Sequence, residues 1–330
     1  MILITGGTGL VGSHLILQLL EKKSSLRILY RSEAKKEQTL RFLEQKGISA
    51  SRLSSLEWIK GDILDLTLLN KAVEGTQEVY HCAALISFDT RDYKRLRKIN
   101  IEGTANVVNT CLHHGISKLC YVSSIAALGK PSNNKWVTEE QSWNPQQNNN
   151  VYAITKYGAE LEVWRGNQEG LPSIIVNPGV VLGEGLWEHS TEKFFKAVDN
   201  GLSYYTKGTT GFVDVKDVVK AMISAMEKDI VNEKFILVGE NKTFKDLFSI
   251  IAAYRGKKPP MKEVNPWILE VLWRLDWLFA NLFRQPRKLT KANARSSGET
   301  TFYENKKVKQ TLDFTFTPLE ETIERISRFH

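Results

Sequence analysis

Tyr152 and Lys156 sit four residues apart in the stretch VYAITKYGAE, residues 151–160, whose composition is otherwise helical. On a helix, positions i and i+4 share a face, so both side chains can act at one place. A phenol near a fixed ammonium ionises more readily, because the positive charge favours phenolate. Taken alone, the pair fits an ordinary amphipathic helix better, since Tyr and Lys often share a helix face by chance. A second segment with chemical content is TGGTGLVG at 5–12, with glycines at Gly6, Gly9 and Gly12. It follows an apolar run and opens a helical pattern, the context that a dinucleotide-binding turn requires. Glycines let the backbone approach a pyrophosphate, whose charge meets the first amides of the helix. The spacing departs from GxGxxG, yet its place after the first apolar strand favours cofactor binding over a plain tight connection.

The next apolar run ends at Ile28-Leu-Tyr-Arg31-Ser32. A carboxylate there would hydrogen-bond a ribose 2′-hydroxyl and repel a 2′-phosphate. The first one is Glu33, whereas Arg31 offers a planar donor fork suited to phosphate, with Lys35 and Lys36 close by. NADP is therefore expected over NAD. The competing view is a plain surface arginine.

These segments need a scaffold. Short apolar runs at Met1–Thr5, Leu26–Tyr30, Leu56–Lys60, Glu78–Cys82 and Leu119–Ser123 alternate with helical patterns such as Gly12–Glu21, Glu33–Lys46 and Leu66–Val73. Strands alternating with helices predict an α/β fold, a doubly wound parallel sheet with helices on both faces. Such sheets bind ligands at the carboxyl ends of their strands, where each segment above falls. Residues 1–165 are expected to form this Rossmann unit, with later strands near 174–177 and 235–238 returning to it. Residues 166–330 are expected to form mainly a smaller, interleaved substrate-binding lobe.

The 330 residues allow one or two domains, and the 42% apolar and 25% charged fractions belong to a folded globular chain. The net charge of +8 shows no long basic run with interleaved aromatics, so the excess reads as diffuse and nucleic acid is not an expected partner. Three cysteines, Cys82, Cys111 and Cys120, show no CxxC spacing. No metal site and no disulfide framework are expected, and a reducing compartment fits. No signal-like segment is read at the start, so a cytoplasmic location is expected.

Taken in order, the motifs resemble the extended short-chain dehydrogenase/reductases, the NAD-dependent epimerase/dehydratase family. They run TGGTGLVG at 5–12, Gly61-Asp-Ile63, His81-Cys-Ala-Ala84, Asn100-Ile-Glu-Gly-Thr104, Tyr121-Val-Ser-Ser-Ile125, the Tyr152/Lys156 pair, Asn177-Pro-Gly-Val-Val-Leu-Gly183 and Phe212-Val-Asp-Val-Lys-Asp-Val218. The resemblance implies that Tyr152 exchanges the proton of a carbonyl/alcohol pair. It implies that Lys156 lowers the phenol's pKa from about 10 and holds the nicotinamide ribose. Ser124 is the match to the serine that hydrogen-bonds the substrate oxygen, with Ser123 its neighbour. Gly6, Thr8, Gly9, Leu10, Val11 and Gly12 are implied to hold the cofactor, as are Asp62 and Ile63 around the adenine, Ala83 and Ala84 along its path, and Pro178. Asn100 is expected to tie the backbone of a neighbouring strand. Dimers are common among such enzymes, and no feature of this sequence specifies one.

Within the family, nucleotide-sugar epimerases hold a diphosphate, typically with an arginine where this chain has Thr210. Losing such clamps removes charge-assisted bonds. Dehydratases commonly add carboxylates after the catalytic serine, where this chain has Ile125, Ala126 and Ala127. The branch closest in sequence resembles dihydroflavonol reductases and 3β-hydroxysteroid dehydrogenases, which implies a small, relatively apolar carbonyl or alcohol as substrate. A transiently oxidising epimerase is the alternative, and a non-catalytic NADP-sensing regulator the second.

The stretch 129–150 is polar and reads equally as a mobile loop over the substrate or a plain surface loop. Residues 266–283 hold 13 apolar positions of 18, three of them tryptophan, with Glu270, Arg274 and Asp276 interrupting any membrane span. A helix packed on the substrate lobe or an apolar lid is expected ahead of an interfacial membrane helix.

Overall fold

The computed structural model describes all residues except 23, 130–135, 186–190, 284–286, 288 and 330. Six of the 129–150 residues and both Arg284 and Lys288 thus lie outside the described set. The strands in chain order are β1 (Ile2–Thr5), β2 (Leu26–Tyr30), β3 (Glu57–Lys60), β4 (Glu78–His81), β5 (Lys118–Val122) and β6 (Ser173–Pro178). They continue with β7 (Val180–Leu182), β8 (Tyr204–Tyr205), β9 (Thr209–Asp214), β10 (Glu233–Leu237), β11 (Glu240–Thr243) and β12 (Lys262–Glu263).

Seven of these strands form one sheet in the order β10-β6-β5-β4-β1-β2-β3, and every pair in it is parallel. Parallel strands need crossover connections, which put helices on both faces and bury both sides of each strand. The residues obey this. In β6 all of Ser173–Pro178 is buried. Alternate residues divide between two cores, Ile4, Ile28, Tyr80, Cys120 and Ile174 on one face and Leu3, Leu29, Val79, Leu119 and Ile175 on the other. That period of two is the strand signature. Helices Leu10–Glu21 and Val215–Glu227 cover the first face, with Leu15, Ile16, Val218 and Met222 in its core. Helices Gly103–His113 and Val151–Gln168 cover the second, through Val107, Val108, Ala159 and Val163.

A smaller sheet, β11-β9-β7, carries its own core of Phe195, Phe212, Leu247, Leu319 and Ile323. Both acids of the Phe212–Val218 motif act structurally. Asp214 accepts from the Lys216 amide at 2.8 Å, capping the Val215–Glu227 helix, and from Thr322 Oγ1 at 2.9 Å. Arg325 bonds Asp214 and the buried Glu184, and Lys46 reaches Glu184 at 2.8 Å. Asp217 accepts from the Thr317 amide and hydroxyl at 2.6 and 3.0 Å. The Leu319–Arg328 helix is thereby locked onto the sheet that precedes it.

The 266–283 segment differs from expectation. Pro266–Leu282 is a helix, but its apolar side is not packed into the protein. Trp267, Leu275, Leu278 and Leu282 are 63%, 45%, 53% and 71% exposed. Among its described side chains only Ala280 is fully buried, while Leu269, Trp273 and Asp276 are half-buried. That inner side also carries Asp276, paired with Arg287 at 3.6 Å.

Candidate active site

The strand order decides where the chemistry-bearing residues meet. Asp62 follows β3, Arg31 follows β2, the glycine turn follows β1, Ala83 and Ala84 follow β4, Ser124 follows β5 and Pro178 ends β6. All six strands belong to the one parallel sheet and point the same way. The expected site residues therefore line one edge of the sheet, at strand carboxyl ends.

The glycine turn is built for close approach. Gly6 has φ +70°, and a Cβ there would stand 2.5 Å from the Ala83 amide nitrogen. At Gly12 a Cβ would stand 2.3 Å from the Gly6 carbonyl oxygen. The Gly9 amide donates to the Gly6 carbonyl at 3.0 Å, closing the turn. Gly9 is also the N-cap of the Leu10–Glu21 helix, so no side chain caps the helix, and its first turn carries no acid. The amides at Leu10 and Val11 are left to an anion in front of them. Thr8 sits half-buried in the turn, and Leu10 reaches across toward Gly183, whose Cβ would meet it at 3.2 Å. This cradle fits a dinucleotide pyrophosphate.

Arg31 is exposed and donates to Asp62 Oδ2 at 3.1 Å, while Asp62 Oδ1 accepts from the Leu64 amide at 3.0 Å. Glu33, the first carboxylate after β2, is occupied by the Tyr30 hydroxyl at 2.6 Å. Ile63 is placed differently from its neighbours. Its side chain lies in the core against Gly103, where a Cβ would stand 2.5 Å away, and its carbonyl accepts from Asn106 at 3.1 Å.

Tyr152 and Lys156 lie on the Val151–Gln168 helix, which Asn150 caps by accepting from the Ala153 amide at 2.8 Å. Both side chains are buried. Burial pushes the Tyr152 phenol up to about 12, with a hydrogen bond to Ser124 pulling the other way. Burial brings Lys156 down to about 7, opposed by Glu160. The ammonium donates to the Tyr121 hydroxyl at 2.7 Å and the Val122 carbonyl at 2.8 Å. Burial therefore dominates the phenol in this state, while the Lys156 ammonium bonds to the end of β5. Phe88 packs edge-on against Tyr152, ring centres 5.5 Å apart.

The two serines after β5 are separated in role. Ser123 donates to Glu160 Oε1 at 2.5 Å. Ser124 keeps its side chain toward Tyr152 while its carbonyl accepts from Asn177 at 2.9 Å. Asn177 also donates to Glu160 at 2.6 Å. Asn100 donates to the Leu85 carbonyl at 3.0 Å and accepts from the Leu85 amide at 2.8 Å. It clamps the segment after β4 rather than substrate, from within a wide π-type turn at Arg97–Glu102. His81 is locked between Thr5 at 2.7 Å and Thr104 at 3.0 Å, and burial drops its pKa to about 3. Glu160, Thr155 and Tyr121 were not singled out from sequence as supports. Glu160 stands four residues after Lys156, so one signal for it existed.

The family model of the NAD dependent epimerase/dehydratase family matches residues 2–239. The chain belongs to that family. Its members are enzymes of the extended short-chain dehydrogenase/reductase type, dependent on NAD(P). Among curated relatives, the chain is 30% identical over 254 residues to tetraketide alpha-pyrone reductase 2 of Arabidopsis thaliana, covering 71% of this chain and 76% of that one. It is 25% identical to sterol demethylase protein B of Methylococcus capsulatus, covering 89% and 86%. A crystal structure of gox2253 superposes with TM-score 0.81 at 28% identity, covering 100% of this chain and 97% of that one. Among the described residues no cluster of three or more His, Cys, Asp or Glu could hold a metal. No described helix is long and apolar enough to cross a membrane.

Proposed function

We propose that this protein is an NADP-preferring reductase of a relatively apolar carbonyl compound, with Ser124, Tyr152 and Lys156 as its catalytic residues. The observation that carries the reading is the placement of Tyr152, a buried phenol bonded to Ser124, faced by Phe88 and carried one helical turn before the buried Lys156. A phenol in hydrogen-bond reach of a serine can donate to the carbonyl oxygen that the serine also holds. The nicotinamide of the bound cofactor supplies the hydride. Ser124 holds the carbonyl oxygen where negative charge develops. Lys156, carried on the same helix as Tyr152, compensates the phenolate left after proton transfer. The glycine turn from Gly6 to Gly12, with Thr8, Leu10 and Val11, would hold the pyrophosphate. Asp62 would meet the adenine end, Ala83, Ala84 and Pro178 would line the path, and Ile63 would support it from the core.

The NADP preference rests on Arg31, which is exposed at the end of β2. The apolar substrate rests on Phe88 beside Tyr152, on Thr210 in place of a phosphate clamp, and on the reductase among the relatives.

Fluorescence titration with NADPH and NADH tests the cofactor reading. NADPH should bind several-fold more tightly, with the difference lost in Arg31→Ala. A panel of apolar ketones and aldehydes then tests turnover, which Tyr152→Phe should reduce by roughly 10²–10⁴-fold without loss of NADPH binding. Turnover of a nucleotide sugar with tightly retained NAD⁺ would overturn this reading in favour of an epimerase. Binding of NADPH with no turnover on any carbonyl would point to a sensor.

A further inference from the structure

The Pro266–Leu282 helix turns its apolar side outward. Trp267, Val271, Leu275, Leu278, Phe279 and Leu282 are all exposed. At about 3.6 residues per turn they share one arc of roughly 120°. Glu270 and Arg274 form an ion pair at 2.7 Å outside that arc. Exposed apolar surface on this scale marks an interaction site. The helix is too short and too interrupted to cross a bilayer, but it has the length and two-sidedness of a helix that lies in an interface.

Charge decides the occupant. The even spread of basic residues expected from the lack of long runs does not hold. Residues 255–295 contain ten Lys or Arg against three Asp or Glu, which is most of the chain's net charge of +8. Lys257, Lys258 and Lys262, in the segment before the helix, are exposed. A second copy docking through the same face about a two-fold axis would set this cationic segment against itself. An anionic bilayer is complementary to both the apolar arc and the cations around it.

We propose that the Pro266–Leu282 helix docks this protein on anionic membranes, its apolar arc in the headgroup–acyl boundary and its flanking lysines on the lipid phosphates. The inner side of the helix ties this surface to the active site. Asp276 and Arg287 interact electrostatically with Arg91 and Asp89, in the same loop as Phe88, which packs on Tyr152. Docking sets the loop beside Tyr152 close to the lipid. Membrane binding itself does not depend on the catalytic reading.

Vesicle co-sedimentation of the full chain tests the proposal. Wild type should sediment with phosphatidylcholine–phosphatidylglycerol vesicles and weakly with phosphatidylcholine alone, and added salt should release it. Leu275→Glu/Leu278→Glu changes two exposed positions and should lower partitioning at least about ten-fold, with circular dichroism and NADPH titration unchanged. Lys257→Glu/Lys258→Glu should lower binding to the anionic vesicles by a similar factor. Wild type remaining in the supernatant with both vesicle types would sink the proposal. So would equal binding by the Leu275→Glu/Leu278→Glu variant. A wild-type dimer in light scattering that dissociates in that variant, without vesicle binding, would assign the face to self-association instead.

Discussion

The Lys156 ammonium donates to the Tyr121 hydroxyl, 35 residues earlier in the chain, at 2.7 Å. Tyr121 also lies under the ammonium, its ring centre 4.5 Å away. The end of β5 therefore holds the lysine that the proposed mechanism pairs with Tyr152. With Lys156 brought down to about 7 by burial, the ammonium is present below neutral pH and lost above it. In the proposed reduction this charge stabilises the phenolate left on Tyr152, so kcat/KM should decline above about pH 7. In Tyr121→Phe the ammonium loses an acceptor, which disfavours the charged form. The decline should then begin about one pH unit lower, since a hydrogen bond to a charged group contributes about 1.5–3 kcal/mol. Lys156→Arg stays charged and should lose the decline. An identical alkaline limb in all three proteins would remove Lys156 from the proton chemistry.

Glu160 accepts from the buried Ser123 hydroxyl at 2.5 Å and from one N–H of the buried Asn177 amide at 2.6 Å. Asn177 in turn holds the Ser124 carbonyl. Glu160→Ala should destabilise the fold by about 2–4 kcal/mol, the cost of leaving the Ser123 hydroxyl and one of the two Asn177 N–H groups buried and unmet. Glu160→Gln keeps an acceptor oxygen at the same reach and should cost markedly less. Thermal unfolding followed by calorimetry compares them. Equal midpoints for the two variants would mean that the carboxylate's charge, and not its acceptor role, is what the site uses.

The edge of the sheet was legible because parallel strands read as continuous apolar runs and ligands gather at their carboxyl ends. That pattern alone places Gly6, Arg31, Asp62, Ala83 and Ser124 together. The contacts beneath them were not legible. Lys156 meets Tyr121, and Glu160 meets Asn177, only because β5 and β6 are adjacent under the Val151–Gln168 helix. Periodicity cannot specify such tertiary pairings. The same limit explains the 266–283 segment. Its composition gave an apolar helix, but an apolar arc looks identical in sequence whether it faces a core or water.

Asp62 competes for Arg31. Their ion pair at 3.1 Å occupies the guanidinium that a 2′-phosphate would take. Asp62→Asn removes the charge but keeps an oxygen for the Leu64 amide, now accepted at 3.0 Å. The freed arginine should improve NADPH binding several-fold relative to NADH, any loss of the Asp62 contact at the adenine end being common to both, because bidentate contacts to phosphate are charge-assisted. Parallel titrations with the two cofactors measure this. A variant that gains equally for both would locate the effect in general surface charge instead of the 2′ position.

Two glycines with similar backbones separate close approach from strain. Gly6 has φ +70° and Gly115 has φ +62°, so alanine at either costs about 1–2 kcal/mol from the left-handed conformation. Around Gly115 nothing lies within 4 Å of where an alanine Cβ would stand, whereas at Gly6 the Ala83 nitrogen is 2.5 Å from that point. Gly115→Ala should therefore lose only that stability and bind NADPH as before. Gly6→Ala must push β1 and the segment after β4 apart, which opens the cradle itself. NADPH affinity should fall at least about ten-fold, beyond any loss shared with Gly115→Ala. Equal affinities in the two variants would mean that the cofactor does not rest against this turn.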